Sequence, residues 1–329
     1  MVRYLIIRFS SIGDIILTTP VIRCLHEQVE GAEIHYLTKE MFAPVLEANP
    51  HITKIHTLGD SFSETIKALK AEEFDYIIDL HHNLRSARVK QELKRMYFNV
   101  NKLNFRKWLL VNWHIDRMPE VHIVDRYLET VKLFDAHNDG RGLDYYIAEN
   151  EKLTPEQFPE AFRQGYIALV TGAGHATKML PEERLSALVG LLDYPVVLVG
   201  GPVDKESASR IAASHPEKAI WNTCGELTIN QSASVVQQAA CVVSHDTGMM
   251  HAAAAFKKKI VTIWGNTDPR FGMAAYQPDP ASVDFEITGL SCRPCSKIGY
   301  RTCPKKHFRC MLDHDLHAIA DAANRLAAS

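Results

Sequence analysis

Several short stretches of this chain combine residue types that bind anions or move protons, each placed just after an apolar run. The first is Ser10-Ser11-Ile12-Gly13-Asp14. Gly13 permits a tight turn, and Asp14 stands at or just before the start of a helical run. Its carboxylate suits either an N-cap or a general base that takes a proton from a hydroxyl. A helix N-terminus stabilises the charged carboxylate and weakens it as a base, which a late proton transfer tolerates. The second stretch, Thr171-Gly172-Ala173-Gly174-His175-Ala176-Thr177-Lys178, holds half of a dinucleotide fingerprint, with Thr177 where a third glycine belongs. No acid ends a following strand at the spacing that grips a nicotinamide ribose, which disfavours an oxidoreductase. A glycine-bearing loop with free N–H groups and one lysine suits a phosphate or diphosphate; otherwise Lys178 is a solvated surface lysine.

The third stretch reads His245-Asp246-Thr247-Gly248-Met249-Met250-His251 and runs on as an Ala-rich helix former to Phe256. Asp246 and Thr247 are favoured N-cap types, and the N–H groups of Thr247, Gly248 and Met249 at the positive end of a helix dipole form an anion site. His251 falls on the first turn. The competing reading is a capped, buried helix with His251 merely packed. The loop Gly265-Asn266-Thr267-Asp268-Pro269, after the next apolar run, favours the site.

Two further features carry charge and thiols. From Leu84 to Lys107 the chain has Arg85, Arg88, Lys90, Lys94, Arg95, Lys102, Arg106 and Lys107 against one acid, Glu92, with Tyr97, Phe98, Phe105 and Trp108 interleaved. Such a run is ordinarily a solvated face, but this imbalance points to an anionic partner, a phosphorylated lipid headgroup or a nucleic acid, or to a membrane surface. Near the C-terminus, Cys292, Cys295, Cys303 and Cys310 are spaced C-x2-C-x7-C-x6-C, a candidate structural zinc site with His307 and His314 as further ligands; the alternative is reduced cysteines used as small core residues. Four thiolates would leave no open position for catalysis. The only Asp-x-Asp, Asp313-His314-Asp315, begins the last helical stretch and reads as an N-cap rather than a metal-nucleotide site.

The elements that must position these residues alternate. Strand-like runs fall at Tyr4–Phe9, Glu33–Thr38, Ile55–Leu58, Tyr76–Leu80, Tyr166–Val170, Val196–Val199, Cys241–Ser244 and Ile260–Trp264, separated by helical patterns such as Pro20–Val29, Ser63–Glu72, Glu182–Leu192, Lys205–Ser214 and Ser232–Ala239. This rhythm implies an α/β architecture of parallel sheets with right-handed crossovers. It breaks in the polar stretch between His137 and Gln164, which places a boundary near Asn150–Gln164 and predicts domains 1–155 and 156–329, each doubly wound and facing the other across a cleft. The length of 329 residues fits two domains, and the net charge of −2 argues against a chain that coats nucleic acid. No apolar run is long enough to span a bilayer and no signal peptide is apparent, so a cytoplasmic protein with mostly reduced thiols is expected.

Taken in order, Gly13-Asp14, Lys178-Met179-Leu180-Pro181, Asp246-Thr247-Gly248-Met249-Met250-His251 and Gly265-Asn266-Thr267-Asp268-Pro269 resemble the signature of the bacterial lipopolysaccharide heptosyltransferases, glycosyltransferase family 9. The resemblance spans nearly the whole chain, and the cysteine cluster is similar to that of some members. It implies a GT-B fold of two Rossmann-like domains and inverting transfer of heptose from ADP-L-glycero-D-manno-heptose to the lipopolysaccharide inner core, with no essential metal or cofactor. Asp14 then matches the base and Lys178 the lysine near the donor phosphates. Thr171, Gly172, Asp246, Thr247, Gly248, Met249 and His251 match donor contacts, and Glu206 matches an acid near the adenosine ribose. Ser10, Ser11, Gly13, Arg85, Arg88, Arg106 and Lys107 become the expected contacts of an anionic glycolipid acceptor, rather than of nucleic acid. Peripheral attachment at the inner face of the inner membrane is implied as well. The family often has Trp where Leu180 stands, so the sugar pocket departs there. The alternatives are a transferase or epimerase for another nucleotide sugar, and a non-catalytic nucleotide-binding module.

Overall fold

The computed structural model describes all residues from Met1 to Ser329 and divides into two compact units, Met1–Leu103 with Val121–Ala148, and Asn104–Glu120 with Glu149–Ser329. In the first unit, β1 (Val2–Ile7), β2 (Ala32–Lys39), β3 (Lys54–Leu58), β4 (Tyr76–Asp79) and β5 (Met96–Asn99) form one parallel sheet in the order β3-β2-β1-β4-β5. The central strand β1 is buried from Tyr4 to Ile7, as expected of a strand covered on both faces. One face packs Leu5, Ile7, Leu37 and Ile77 against Ile66 and Leu69 of helix Phe62–Ala71 and Val89 and Leu93 of helix Leu84–Leu93. Helix Thr19–Gln28, which buries Val21, Ile22 and Leu25, packs against β2. The turn after β4 is organised by Asp79, fully buried, whose carboxylate accepts from His82 N–H at 2.6 Å and Ser86 Oγ–H at 2.7 Å and pairs with Lys90 at 2.7 Å.

The second unit repeats the pattern. Strands β6 (Ile167–Val170), β7 (Val196–Val199), β8 (Ile220–Asn222), β9 (Cys241–His245), β10 (Ile260–Trp264) and β11 (Val283–Glu286) form a parallel sheet ordered β11-β10-β9-β6-β7-β8. Its core joins Ile167, Leu169, Val196, Leu198, Val243 and Ile263 to Leu185, Leu188 and Val189 of helix Glu182–Leu191, and to Ile319, Ala323 and Leu326 of the last helix, Leu316–Ala328. Both orders are those of doubly wound sheets, the α/β architecture expected from the alternation. In such sheets the strand order reverses beside the first strand, and ligands bind in the crevice beyond the C-terminal ends there. These switch points lie between β1 and β4 and between β6 and β9.

The basic segment is not one surface. It comprises helix Leu84–Leu93, strand β5 and helix Asn104–Trp113, and the last of these belongs to the second unit. Lys90 is buried on Asp79 rather than solvated, because a helix packed on the sheet turns part of even a basic run inward. Asp315 caps the last helix, accepting from His317 N–H at 3.0 Å and Ala318 N–H at 3.2 Å, as the Asp-x-Asp reading expected. No helix is long and apolar enough to cross a membrane.

Candidate functional site

At the switch point of the first unit, β1 ends at Ile7 and helix Ile12–Ile16 opens with Ser11 as its N-cap. Asp14 is the third helical residue. Its carboxylate accepts from Ser11 Oγ–H at 2.9 Å and Ser11 N–H at 3.2 Å, while Arg8 pairs with its other oxygen at 2.6 Å. Asp14 therefore serves the cap without being the cap residue, and its side chain keeps about one-fifth of its surface exposed. Arg8 is itself buried and anchored, donating to Leu80 O at 2.7 Å and Ser10 O at 2.9 Å. Burial by itself would raise the Asp14 pKa; the Arg8 charge and the Ser11 hydrogen bonds outweigh it and bring it down to about 2. His81, after β4, packs against Phe9 with ring centroids 5.0 Å apart and planes tilted by 58°, and burial followed by the Arg8 charge lowers it to about 4. The Arg85 guanidinium lies 5.9 Å from the Phe9 ring centroid, beside this turn. Arg88 sits over Phe62 at 4.4 Å, against helix Phe62–Ala71. Ser10 and Gly13 lie in the turn with Asp14, and Gly13 is buried.

At the switch point of the second unit, the loop after β6 and the loop after β9 meet. Lys178 ends a short 3-10 turn, Ala176–Lys178, and its ammonium pairs with Asp246 Oδ2 at 2.6 Å. Thr267, after β10, donates its hydroxyl to the same oxygen at 2.9 Å. Three motifs far apart in sequence thus converge on one carboxylate. Thr247 caps helix Gly248–Ala255, its hydroxyl accepting from Met250 N–H at 3.4 Å and contacting Ser244 Oγ at 3.1 Å. That leaves the first helical N–H groups, of Gly248 and Met249, at the positive end of the dipole. His251 follows on the first turn of this helix and is only 2% exposed.

The glycine turn is shaped by an acid that motif reading passed over. A Cβ on Gly172 would lie 2.1 Å from Asp204 Oδ2, and one on Gly200 would lie 2.9 Å from the same atom. Asp204 also accepts from Gly201 N–H at 2.8 Å, and burial raises its pKa. Thr171, buried beneath, contacts Cys224 Sγ at 3.4 Å. Glu206, by contrast, is 89% exposed and pairs with Arg210 at 2.7 Å, one helical turn on. The acid enclosed by the glycine turns is Asp204; its spacing from Gly172 is long-range, and only the sheet register reveals it.

The cysteine segment supports these loops. Arg293, inside the C-x-x-C turn and nearly buried, donates to Gly265 O at 2.7 Å and Thr267 O at 3.0 Å and pairs with Glu286 at 2.7 Å. Tyr300 N–H donates to Thr177 Oγ1 at 2.8 Å, and Thr177 N–H donates back to Tyr300 O at 3.2 Å. A Cβ on Gly265 would meet Thr177 O at 2.7 Å, so glycine there allows two backbones to touch. Cys292, Cys295 and Cys303 are half-buried and Cys310 is buried, all as free thiols. Burial, then the neighbouring thiols, raises Cys295, and the same causes push Cys310 up to about 12. Cys292 Sγ lies 3.6 Å from His307 Nε2, while His314 Nε2 is engaged with Trp264 O at 3.1 Å. A cavity of about 690 Å³ opens beside this segment, lined by Thr177, Arg301, Cys303, Lys306 and Phe308.

On helix Asn104–Trp113, Phe105, Trp108 and Trp113 are exposed and form a continuous ladder, with successive ring centroids 6.2 and 6.3 Å apart. Arg106 is exposed beside them, and the Lys107 ammonium lies 5.7 Å from the centroid of Phe271.

Comparison with known proteins gives a consistent result. The family profile "Glycosyltransferase family 9 (heptosyltransferase)" matches residues 63–307. The chain is 24% identical over 283 residues to lipopolysaccharide heptosyltransferase 3 of Escherichia coli K12, covering 79% of this chain and 81% of that one. Among solved structures, a family 9 glycosyltransferase from Veillonella parvula superposes with TM-score 0.78 at 20% identity, covering 99% of this chain and 97% of the other. The E. coli ADP-heptose lipopolysaccharide heptosyltransferase II does so with TM-score 0.75 at 19% identity, covering 99% and 98%.

Proposed function

Because the chain belongs to glycosyltransferase family 9, the heptosyltransferase family, we propose that this glycosyltransferase moves a heptose from its ADP derivative to the inner core of lipopolysaccharide, with inversion at the anomeric carbon. The observation that carries the reading is the Lys178–Asp246–Thr267 cluster beside the open N–H groups of Gly248 and Met249, at a switch point where a nucleotide diphosphate is expected. The names of the similar enzymes, which include an ADP-heptose enzyme, support the donor.

In this mechanism the acceptor hydroxyl attacks the anomeric carbon from the face opposite the phosphate. Its oxygen bonds to that carbon as the carbon–oxygen bond to the diphosphate breaks, and the proton passes to Asp14. Charge builds on the departing ADP, where Lys178 and the Gly248 and Met249 N–H groups stabilise it; fixed donors of this kind are often the largest catalytic contribution. A strongly ionised Asp14 accepts a proton only when the hydroxyl has become acidic, which requires bond formation to run ahead of proton transfer. Thr171, Gly172, Thr247 and the enclosed Asp204 complete the donor contacts, while Ser10, Ser11 and Arg85 lie beside Asp14 for the acceptor. Transfer by this route uses no cofactor; a zinc ion held by the four cysteines would be structural, and its content is read by elemental analysis. The exposed Phe105–Trp108–Trp113 ladder with Arg106 supports peripheral attachment to a membrane bearing the anionic glycolipid.

The decisive experiment incubates purified protein with ADP-heptose and heptose-deficient lipopolysaccharide, alongside a panel of other nucleotide sugars. Asp14→Asn should lower turnover by about 10²- to 10⁴-fold while ADP still binds. Turnover of the variant at the wild-type rate, or transfer from another nucleotide sugar only, overturns the assignment.

A further inference from the structure

A second cluster of chemically competent side chains lies away from the loops described above. His35 on β2 and His56 on the neighbouring edge strand β3 project from the same face of the first sheet, because the register sets Leu37 opposite His56 and His35 opposite Lys54. Glu72 follows directly on helix Phe62–Ala71 as its C-cap. His35 Nδ1 lies 3.0 Å from His56 Nε2 and 4.0 Å from Glu72 Oε2, and the three residues offer ligand atoms that are all within 4.8 Å of one another. Both imidazoles are buried, at 4% and 7% exposure, while Glu72 reaches the surface.

We propose that His35, His56 and Glu72 bind a borderline divalent transition-metal ion of the zinc class. A tetrahedral ion with bonds of about 2.1 Å sets its ligand atoms about 3.4 Å apart. The observed 3.0 and 4.0 Å straddle that spacing, so small side-chain rotations complete the set. The surroundings hold the ligands ready. Phe74 stands edge-on to both imidazoles, at 5.1 and 6.0 Å, and fixes their planes. Lys54 occupies the other Glu72 oxygen at 2.5 Å, leaving Oε2 facing the histidines, and Arg3 holds the Glu72 carbonyl at 3.0 Å. Burial lowers both histidines, His56 to about 4, so both keep the neutral form that a metal requires. Coordination replaces the single N–H···N bond between the rings: the ring carrying that proton moves it to its other nitrogen, and none is lost. Two nitrogens and one carboxylate oxygen suit zinc, cobalt or nickel rather than magnesium or calcium. The ion would tie an edge strand, its neighbour and a helix together, and water completes its coordination. This site is independent of the transferase reading, because it lies on β2, β3 and a helix end, whereas Asp14 follows β1.

The test uses the reduced full-length chain with ¹⁵N-labelled histidine, titrated with Zn²⁺. The expected result is that the His35 and His56 ring nitrogens shift together and saturate at one equivalent per site. Co²⁺ at the same site should give ligand-field bands without sulfur-to-cobalt charge transfer, which separates it from the cysteines. His56→Gln keeps a side chain able to hydrogen-bond and should weaken this binding by more than about 100-fold, beyond the loss seen on changing an outer-shell partner. Unmoved His35 and His56 resonances, with zinc bound only at thiols or nowhere, would overturn the proposal whatever the transferase assay shows.

Discussion

Asp14 and Arg8 set the pH behaviour at the residue scale. With Asp14 held near 2, its carboxylate is ionised across the physiological range, so wild-type kcat should show no acid limb from this group between about pH 5 and 8. Arg8→Gln removes the main charge that lowers it and leaves burial to act, so the Asp14 pKa rises and an acid limb moves up into the measurable range. A pH–rate profile unchanged by Arg8→Gln would show that Asp14 is not the titrating base. The same shift has a stability sign. The folded pKa of Asp14 lies below an unfolded value of about 3.9, so its contribution, about 2 kcal/mol, is present above that pH and is lost as pH falls from there through about 2. Urea unfolding of Asp14→Asn and wild type should therefore differ at pH 7 and converge in strong acid. The turn itself was legible in the sequence as a glycine and an acid after an apolar run. The Arg8 and Ser11 contacts that decide how basic it is were not, because they depend on side-chain placement within the turn.

Elements were legible where burial on both faces writes a continuous apolar run. Strands β1, β2, β4, β6, β7, β9 and β10 read directly from the sequence, and so did the edge strand β3, expected at Ile55–Leu58 and found at Lys54–Leu58, though β1 stops at Ile7 rather than Phe9. The strands that escaped, β5, β8 and β11, are all sheet edges, where Met-Tyr-Phe-Asn, Ile-Trp-Asn and Val-Asp-Phe-Glu mix polar and apolar residues because one side lacks a neighbouring strand. The loops proposed to hold the donor follow the same logic: Lys178 and the Asp246–Gly248 turn announce themselves, whereas Asp204 and Arg293 act through contacts only the folded sheet creates. Arg293 gives a prediction at this scale. Arg293→Met deletes two carbonyl contacts and an ion pair behind the loop that carries Thr267. Charge-assisted bonds of this kind contribute about 1.5–3 kcal/mol, so the donor KM should rise by about tenfold or more, with a smaller change in kcat. Arg293→Lys should restore part of it, since a lysine reaches one carbonyl but cannot fork to two. An unchanged donor KM in both would remove the cysteine segment from donor binding.

For the whole molecule, the near-neutral net charge hides a local bias that the helix Asn104–Trp113 makes visible. Its aromatic ladder exposes more apolar surface than a solvated helix needs, and Trp is the side chain best suited to a headgroup interface. Trp108→Ser with Trp113→Ser should reduce sedimentation with vesicles rich in anionic phospholipid. Neutralising Arg106 and Lys107 should make the remaining binding less dependent on salt. Binding equal to wild type in both variants would leave the ladder without a membrane role.

The path of the backbone carries a last consequence. It passes from one compact unit to the other at Leu103/Asn104, returns at Glu120/Val121, and leaves again at Ala148/Glu149. A polypeptide cut near residue 150 is therefore not cut into two self-sufficient pieces: the upstream fragment carries residues Asn104–Glu120, with the buried Leu110, which belong to the compact unit whose remainder lies in the downstream one. Produced alone, that fragment should be poorly soluble; produced together, the two should reassemble, making the enzyme a natural candidate for split-protein complementation.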